Sequence, residues 1–175
     1  MTVLYPLKFQ PIFKDKIWGG NKISSILGKD YGDLPNCGET WELSGVAGNV
    51  STVLNGELEG TDLNTIISTY GDQLLGKHVA SLYGQEFPLL IKFIDANQDL
   101  SIQVHPDDTI AQAKHQCKGK TEMWYVMQAD EGASLISGFN TELTKEQYLD
   151  HFENGQLDSI LNREQVQDGD TFFIP

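Results

Sequence analysis

Four side chains able to bind or polarise a substrate fall in two short segments that read as extended. Gln103 and His105 stand two apart in Leu100-Ser101-Ile102-Gln103-Val104-His105-Pro106, and Lys120 and Glu122 stand two apart in Gly119-Lys120-Thr121-Glu122-Met123-Trp124-Tyr125. Successive side chains of an extended chain alternate faces, so each pair projects together while Ile102, Val104, Thr121 and Met123 project the other way. The expectation is one chemical face and one core face on each strand. Pairing the strands brings an amide oxygen, an imidazole, a carboxylate and an ammonium together. One imidazole with oxygen donors suits a divalent metal, and zinc accepts such a mixture when it is catalytic and keeps a position open for water or substrate.

Other residues fall in with this set by position. Ser101 shares the face of Gln103 and His105 on strict alternation. Glu122 sits among apolar strand residues, where an unpaired buried carboxylate is costly, so ligation explains it better than chance does. Lys92 interrupts the apolar run Leu89-Leu90-Ile91-Lys92-Phe93-Ile94, which suggests a cation facing a pocket and fit for phosphate. Trp18 and Trp41 read as core or pocket wall, and Glu39 as a salt-bridge partner. His78, His115 and His151 fall on expected helices with no ligand pattern around them, and Asp107-Asp108 reads as a helix cap.

The elements that must carry these groups are short strands with helices between them. Strands are expected at 39–45, 50–54, 89–94, 100–104, 121–128, 133–137 and 171–174. Near 61–83 the character changes to helical, with Asp62 as a cap, Leu63, Ile66 and Ile67 at helical spacing and Gly71 as a stop. A further helix starts at Pro106-Asp107-Asp108 and runs to about Cys117, and Thr144 with Gln147 forms a capping box for another through Phe152. A short helix is expected at 156–161. Many short strands with closely spaced turns favour a mainly β fold, a jelly roll with helical insertions.

Composition excludes several function classes. The chain has 175 residues, a net charge of −13 and a pI near 4.5. Nucleic acid and anionic membrane both attract basic surface, so neither is an expected partner. A sugar phosphate would be repelled at long range as well, and requires a local basic pocket. No apolar run approaches ~18 residues and the start lacks the pattern of a signal peptide, which favours the cytoplasm. Cys37 and Cys117 are isolated thiols rather than a ligand cluster. Length alone favours one domain.

The motifs Gln103-Val104-His105-Pro106, Gly119-Lys120-Thr121-Glu122-Met123-Trp124 and Gly169-Asp170-Thr171-Phe172-Phe173-Ile174-Pro175 resemble those of type I phosphomannose isomerases, zinc enzymes of the cupin superfamily. Ile17-Trp18-Gly19-Gly20 and Gly38-Glu39-Thr40-Trp41-Glu42-Leu43-Ser44 resemble the N-terminal signatures of the same family, in its short bacterial form. The resemblance runs in order over nearly the whole chain. It implies a cupin-type jelly roll over residues 1–175 with the helical insertion near 61–83. It further implies one Zn2+ per chain held by Gln103, His105 and Glu122, with Lys120 in proton transfer or oxygen stabilisation. Ser101 and Lys92 would then surround the phosphate, and Glu39 and Trp18 would bind substrate. In that family the last motif continues to a histidine ligand and a second cupin half follows. The sequence in hand stops at Pro175, so the expectation is an N-terminal part and first jelly roll without that second half.

The implied activity is interconversion of mannose 6-phosphate and fructose 6-phosphate. The alternative from another class is a non-catalytic cupin module that binds a sugar phosphate or a metal. An iron-dependent cupin oxygenase is less favoured, because that chemistry usually gathers two or three histidines and only His105 stands in the right place.

Overall fold

Asp62 starts a helix with a buried face. In the computed structural model, which describes residues 3–174, its carboxylate accepts the backbone N–H of Thr65 at 2.9 Å and the Thr65 hydroxyl at 2.6 Å. The helix α1, Lys22–Ser25, precedes it, and α2 spans Leu63–Tyr70. Leu63, Ile66, Ile67 and Tyr70 follow the 3, 4, 7 spacing of one helix face and all are buried. Ile66 and Tyr70 pack on Val53, with Leu4, Leu7, Phe9, Leu58 and Leu74 around them. Gly71 ends the helix at a φ of +51°, where its N–H returns to the Ile67 carbonyl. Two shorter helices follow, α3 (Asp72–Leu75) and α4 (Lys77–Tyr83).

The described residues divide into two compact units, one ending at Leu100 and the other starting at Ser101. The first unit contains these helices and a three-stranded antiparallel sheet of β1 (Ile12–Lys14), β2 (Glu39–Ser44) and β3 (Leu90–Ile94), in that order. Trp41 stands opposite Ile12 on one side and Lys92 on the other, while Glu39 stands opposite Lys14 and Ile94. The alternation of β2 therefore puts Lys14, Glu39, Trp41 and Lys92 on one face. Phe13, Thr40 and Phe93 share the opposite face, where Thr40 is fully buried.

The motif around Trp18 has a steric cause. A Cβ on Gly38 would lie 2.6 Å from Lys16 Cβ and 2.8 Å from Trp18 Cζ3, distances that no real contact tolerates. Gly20 bridges Cys37 and Gly19 bridges Ala96, so the glycines let this loop lie against the chain just before β2 and just after β3.

In the second unit, β4 (Glu122–Tyr125) pairs with β7 (Thr171–Ile174), and β5 (Ser134–Phe139) with β6 (Leu161–Gln165). Helix α5 (Asp108–His115) is capped by Asp107, which accepts from the Ile110 N–H at 2.7 Å. Helix α6 (Lys145–Glu153) carries the expected capping box, Gln147 N–H to Thr144 and Thr144 N–H to Gln147.

Several expectations differ from this structure. Strands and helices occupy similar shares of the described residues and the strands form three small sheets, a more mixed composition than mainly β. Residues 101–107 form no strand, and the expected core side chains Ile102 and Val104 are exposed, Val104 by 89%. A strand is held in place by a hydrogen-bonded neighbour, and no described strand pairs with this stretch. Met123 and Phe173, directly opposed on β4 and β7, are exposed as well. The 50–54 stretch makes only isolated bridges, and the expected helix at 156–161 is a single 3-10 turn running into β6. Pro175, the last residue of the third motif, lies outside the described residues, as do Met1 and Thr2.

Candidate functional site

The second unit brings five of the expected side chains into one connected group. Ser101 Oγ accepts from Gln103 Nε2 at 2.9 Å, and Gln103 Oε1 lies 3.4 Å from His105 Nε2. The same ring nitrogen lies 3.4 Å from Lys120 Nζ, and Lys120 Nζ lies 3.0 Å from Glu122 Oε1. The other carboxylate oxygen of Glu122 stands 3.5 Å from His105 Nδ1. Glu122 is held by β4, whose alternation turns Glu122 and Trp124 inward and Met123 and Tyr125 outward. Lys120 is placed just before that strand, and its backbone N–H reaches the Pro106 carbonyl at 3.4 Å. The turn is tied further by Gly119 N–H, which donates to Asp108 Oδ1 at 2.8 Å. Asp108 therefore anchors the Lys120 loop to the start of α5.

Gln103, His105 and Glu122 carry atoms of the kinds that bind a divalent cation. Bonds of about 2.0–2.2 Å in a tetrahedral site separate neighbouring ligand atoms by roughly 3.3–3.6 Å, and Gln103 Oε1 and His105 Nε2 are 3.4 Å apart. The Lys120 ammonium stands within 3.4 Å of His105 Nε2 and 3.0 Å of Glu122 Oε1, so a cation of the chain itself already meets two of these groups. Glu122 faces Nδ1 rather than Nε2, and its carboxylate must turn to join the other two on one ion. Among the described residues no three His, Cys, Asp or Glu gather, so the set depends on the amide of Gln103.

The first unit places Lys92, Glu39 and Trp18 on its sheet and the adjoining loop. Glu39 is buried, and its Oε1 stands 3.3 Å from Lys92 Nζ while its Oε2 accepts the Trp41 indole N–H at 2.8 Å. Burial pushes the Glu39 carboxyl up, but the Trp41 hydrogen bond and the Lys92 and Lys16 charges outweigh it, and the group titrates below its ordinary value. Lys92 is therefore paired with an acid and not isolated in an apolar strand. Trp18 covers Gly38, and its carbonyl accepts the N–H groups of Asn97 and Gln98.

Sequence reasoning undervalued Trp41. Its place two residues after Glu39 on one strand puts both on the same face, which is the signal that could have linked them. Nothing in the sequence pattern singled out Lys14, whose ammonium lies 5.1 Å from the Trp41 ring centroid and donates to Asn49 Oδ1. His78, His115 and His151 lie on α4, α5 and α6 as expected.

Known proteins similar to this chain are mannose-6-phosphate isomerases. The chain is 37% identical over 172 residues to the probable mannose-6-phosphate isomerase GmuF of Bacillus subtilis, covering 98% of this chain and 52% of that protein. It is 39% identical over 173 residues to a mannose-6-phosphate isomerase of Streptococcus mutans, again covering 52% of that protein. The crystal structure of the mannose 6-phosphate isomerase from Bacillus subtilis superposes with a TM-score of 0.87 at 33% identity, over 97% of this chain and 52% of that one. The chain thus spans about half the length of these relatives. The profile of the phosphomannose isomerase type I catalytic domain matches residues 6–143, a stretch that holds every candidate residue above, and the chain belongs to that family.

Proposed function

We propose that this chain provides the metal-binding and sugar-binding groups of a cytoplasmic isomerase that interconverts mannose 6-phosphate and fructose 6-phosphate, on a cupin-type jelly roll. The observation that carries the reading is the connected group Ser101, Gln103, His105, Lys120 and Glu122, with successive contacts of 2.9–3.5 Å. Gln103, His105 and Glu122 are the proposed holders of a zinc ion. When bound, zinc supplies Lewis acidity toward the sugar oxygens.

The reaction moves a proton between C1 and C2 of an open-chain sugar, so groups must accept, carry and return protons at fixed positions. Lys120 is half exposed, so its ammonium can reach a bound sugar while staying within ion-pair distance of Glu122. Ser101 keeps its hydroxyl proton free for a phosphate or sugar oxygen, because it accepts from Gln103. In the first unit Glu39 is an ionised acceptor for sugar hydroxyls. Lys92 has three N–H donors and gives one to Glu39, leaving two for substrate. Trp18 supplies an apolar wall.

The second reading is a module that binds metal or sugar phosphate without turnover. It is favoured by the dependence of the ligand set on an amide, a weak donor beside carboxylate and imidazole. Metal analysis and mannose 6-phosphate isomerisation on the same purified sample decide between them. About one zinc per chain with turnover, both lost in His105→Ala, supports the isomerase; zinc without turnover supports the module. Absence of both overturns the proposal.

A further inference from the structure

One face of the first unit's sheet carries four side chains in a row, and Asn49 from the loop after β2 joins one end. Asn49 Oδ1 accepts from Lys14 Nζ, and the Lys14 ammonium lies 5.1 Å from the Trp41 ring centroid. Trp41 Nε1 donates to Glu39 Oε2 at 2.8 Å, and Glu39 Oε1 meets Lys92 Nζ at 3.3 Å. The strand register produces this order. Lys14 is opposite Glu39 and Lys92 is opposite Trp41, so Glu39 and Lys92 are diagonal neighbours across β2 and β3. Each oxygen of the buried carboxylate is engaged by a different partner, one neutral and rigid, one charged. Each oxygen also retains a second lone pair. A carboxylate held at one oxygen rotates about its last bond, whereas one held at both does not.

We propose that Trp41 is a positioning residue: its indole N–H and the Lys92 ammonium hold the two oxygens of Glu39 so that the remaining lone pairs point in fixed directions toward sugar hydroxyls. The inference rests on the reading that Glu39 meets substrate. Lys14 in turn steadies the indole, because a cation over the ring face favours one ring orientation. A tryptophan that only filled space would give way to phenylalanine with no effect on Glu39.

The test replaces Trp41 in the full chain by Phe and, separately, by benzothienylalanine, which keeps the indole shape and carries sulfur in place of the N–H. Three quantities are read: the NMR titration of the Glu39 side-chain carboxyl carbon, KM and kcat for mannose 6-phosphate, and the thermal midpoint. The expected result is an upward shift of the Glu39 titration in both variants and a fall in kcat/KM of roughly ten- to a hundredfold, the worth of one hydrogen bond to a charged group. In the benzothienylalanine protein the thermal midpoint should stay close to wild type while the other two change. An unchanged Glu39 titration, or a shifted titration with unchanged kinetics, overturns the positioning role. Glu39→Gln separates this from the reading beneath it. If that variant loses turnover while both Trp41 variants keep it, the clamp alone is wrong; if it keeps full turnover, Glu39 does not meet substrate and the inference falls with that reading.

Discussion

Glu122 Oε2 lies 3.5 Å from His105 Nδ1, although the glutamate stands on β4 and the histidine in the irregular stretch before α5. No regular hydrogen-bonded pairing joins those two segments at this point. The contact is made by the turn that ties Gly119 to Asp108 and Lys120 to Pro106. The zinc-binding reading predicts that His105→Ala and Glu122→Ala each lower zinc affinity by at least about tenfold, since even groups that merely orient a ligand reach that scale. Competition against a chromophoric chelator measures it. Unaltered affinity in either variant would remove that residue from the ligand set.

Lys120 offers a sharper separation of chemistry from stability. Its ammonium is half exposed, so its ion pair with Glu122 contributes no more than about 1 kcal/mol to folding. Lys120→Met should leave the urea midpoint nearly unchanged while turnover drops about a hundredfold or more, the usual share of a proton-transfer group. A large stability loss with proportionate turnover would mean that Lys120 acts structurally.

The Glu39 carboxyl gives a pH dependence with a definite sign. Its folded-state value lies below the ordinary 4.5, because the Trp41 hydrogen bond and the Lys92 charge overcome the upward push of burial. The folded state therefore binds its proton less readily than the unfolded chain does. The resulting stabilisation is fully present above pH 4.5 and is lost as pH falls through the lower folded-state value. Thermal midpoints between neutral pH and pH 3 should accordingly decline more steeply in the wild type than in Glu39→Gln. Parallel curves would show that Glu39 is not the group responsible.

Gly38 tests the packing of the loop that carries Trp18. Alanine there places a methyl group 2.6 Å from Lys16 Cβ and 2.8 Å from the Trp18 ring. Relief of that overlap should cost about 1–3 kcal/mol in a denaturant titration and change the Trp18 fluorescence. Ser51, fully buried and donated to by the Ser44 N–H at 2.9 Å, sits elsewhere on the same unit. Its alanine variant should lose stability without that spectral change.

Much of the fold could be read locally. Asp62, Asp107 and Thr144 cap helices because a short side-chain acceptor beside free N–H groups is a property of neighbouring residues. The apolar run at 90–94 became β3, and Glu122 and Trp124 share a face because alternation is intrinsic to an extended chain. Where pattern and pairing part company, local reading fails. Ile102 and Val104 have the alternation of a core strand yet are exposed, and Leu161–Gln165 is a strand despite its polar composition. In each case the presence or absence of a partner strand decided the outcome.

The candidate site divides in the same way. By residue type and spacing alone, the sequence determined which groups could do chemistry: Gln103 with His105, and Lys120 with Glu122. The tertiary structure alone decided their partners. It placed Lys92 against Glu39 through a cross-strand register, and it closed His105 onto Glu122 and Lys120 through the turn at Gly119. Alternation fixes which way a side chain points from its own strand, a matter of covalent geometry. What it meets depends on strand pairing and loop closure, which are set by burial and hydrogen bonding over long sequence separations.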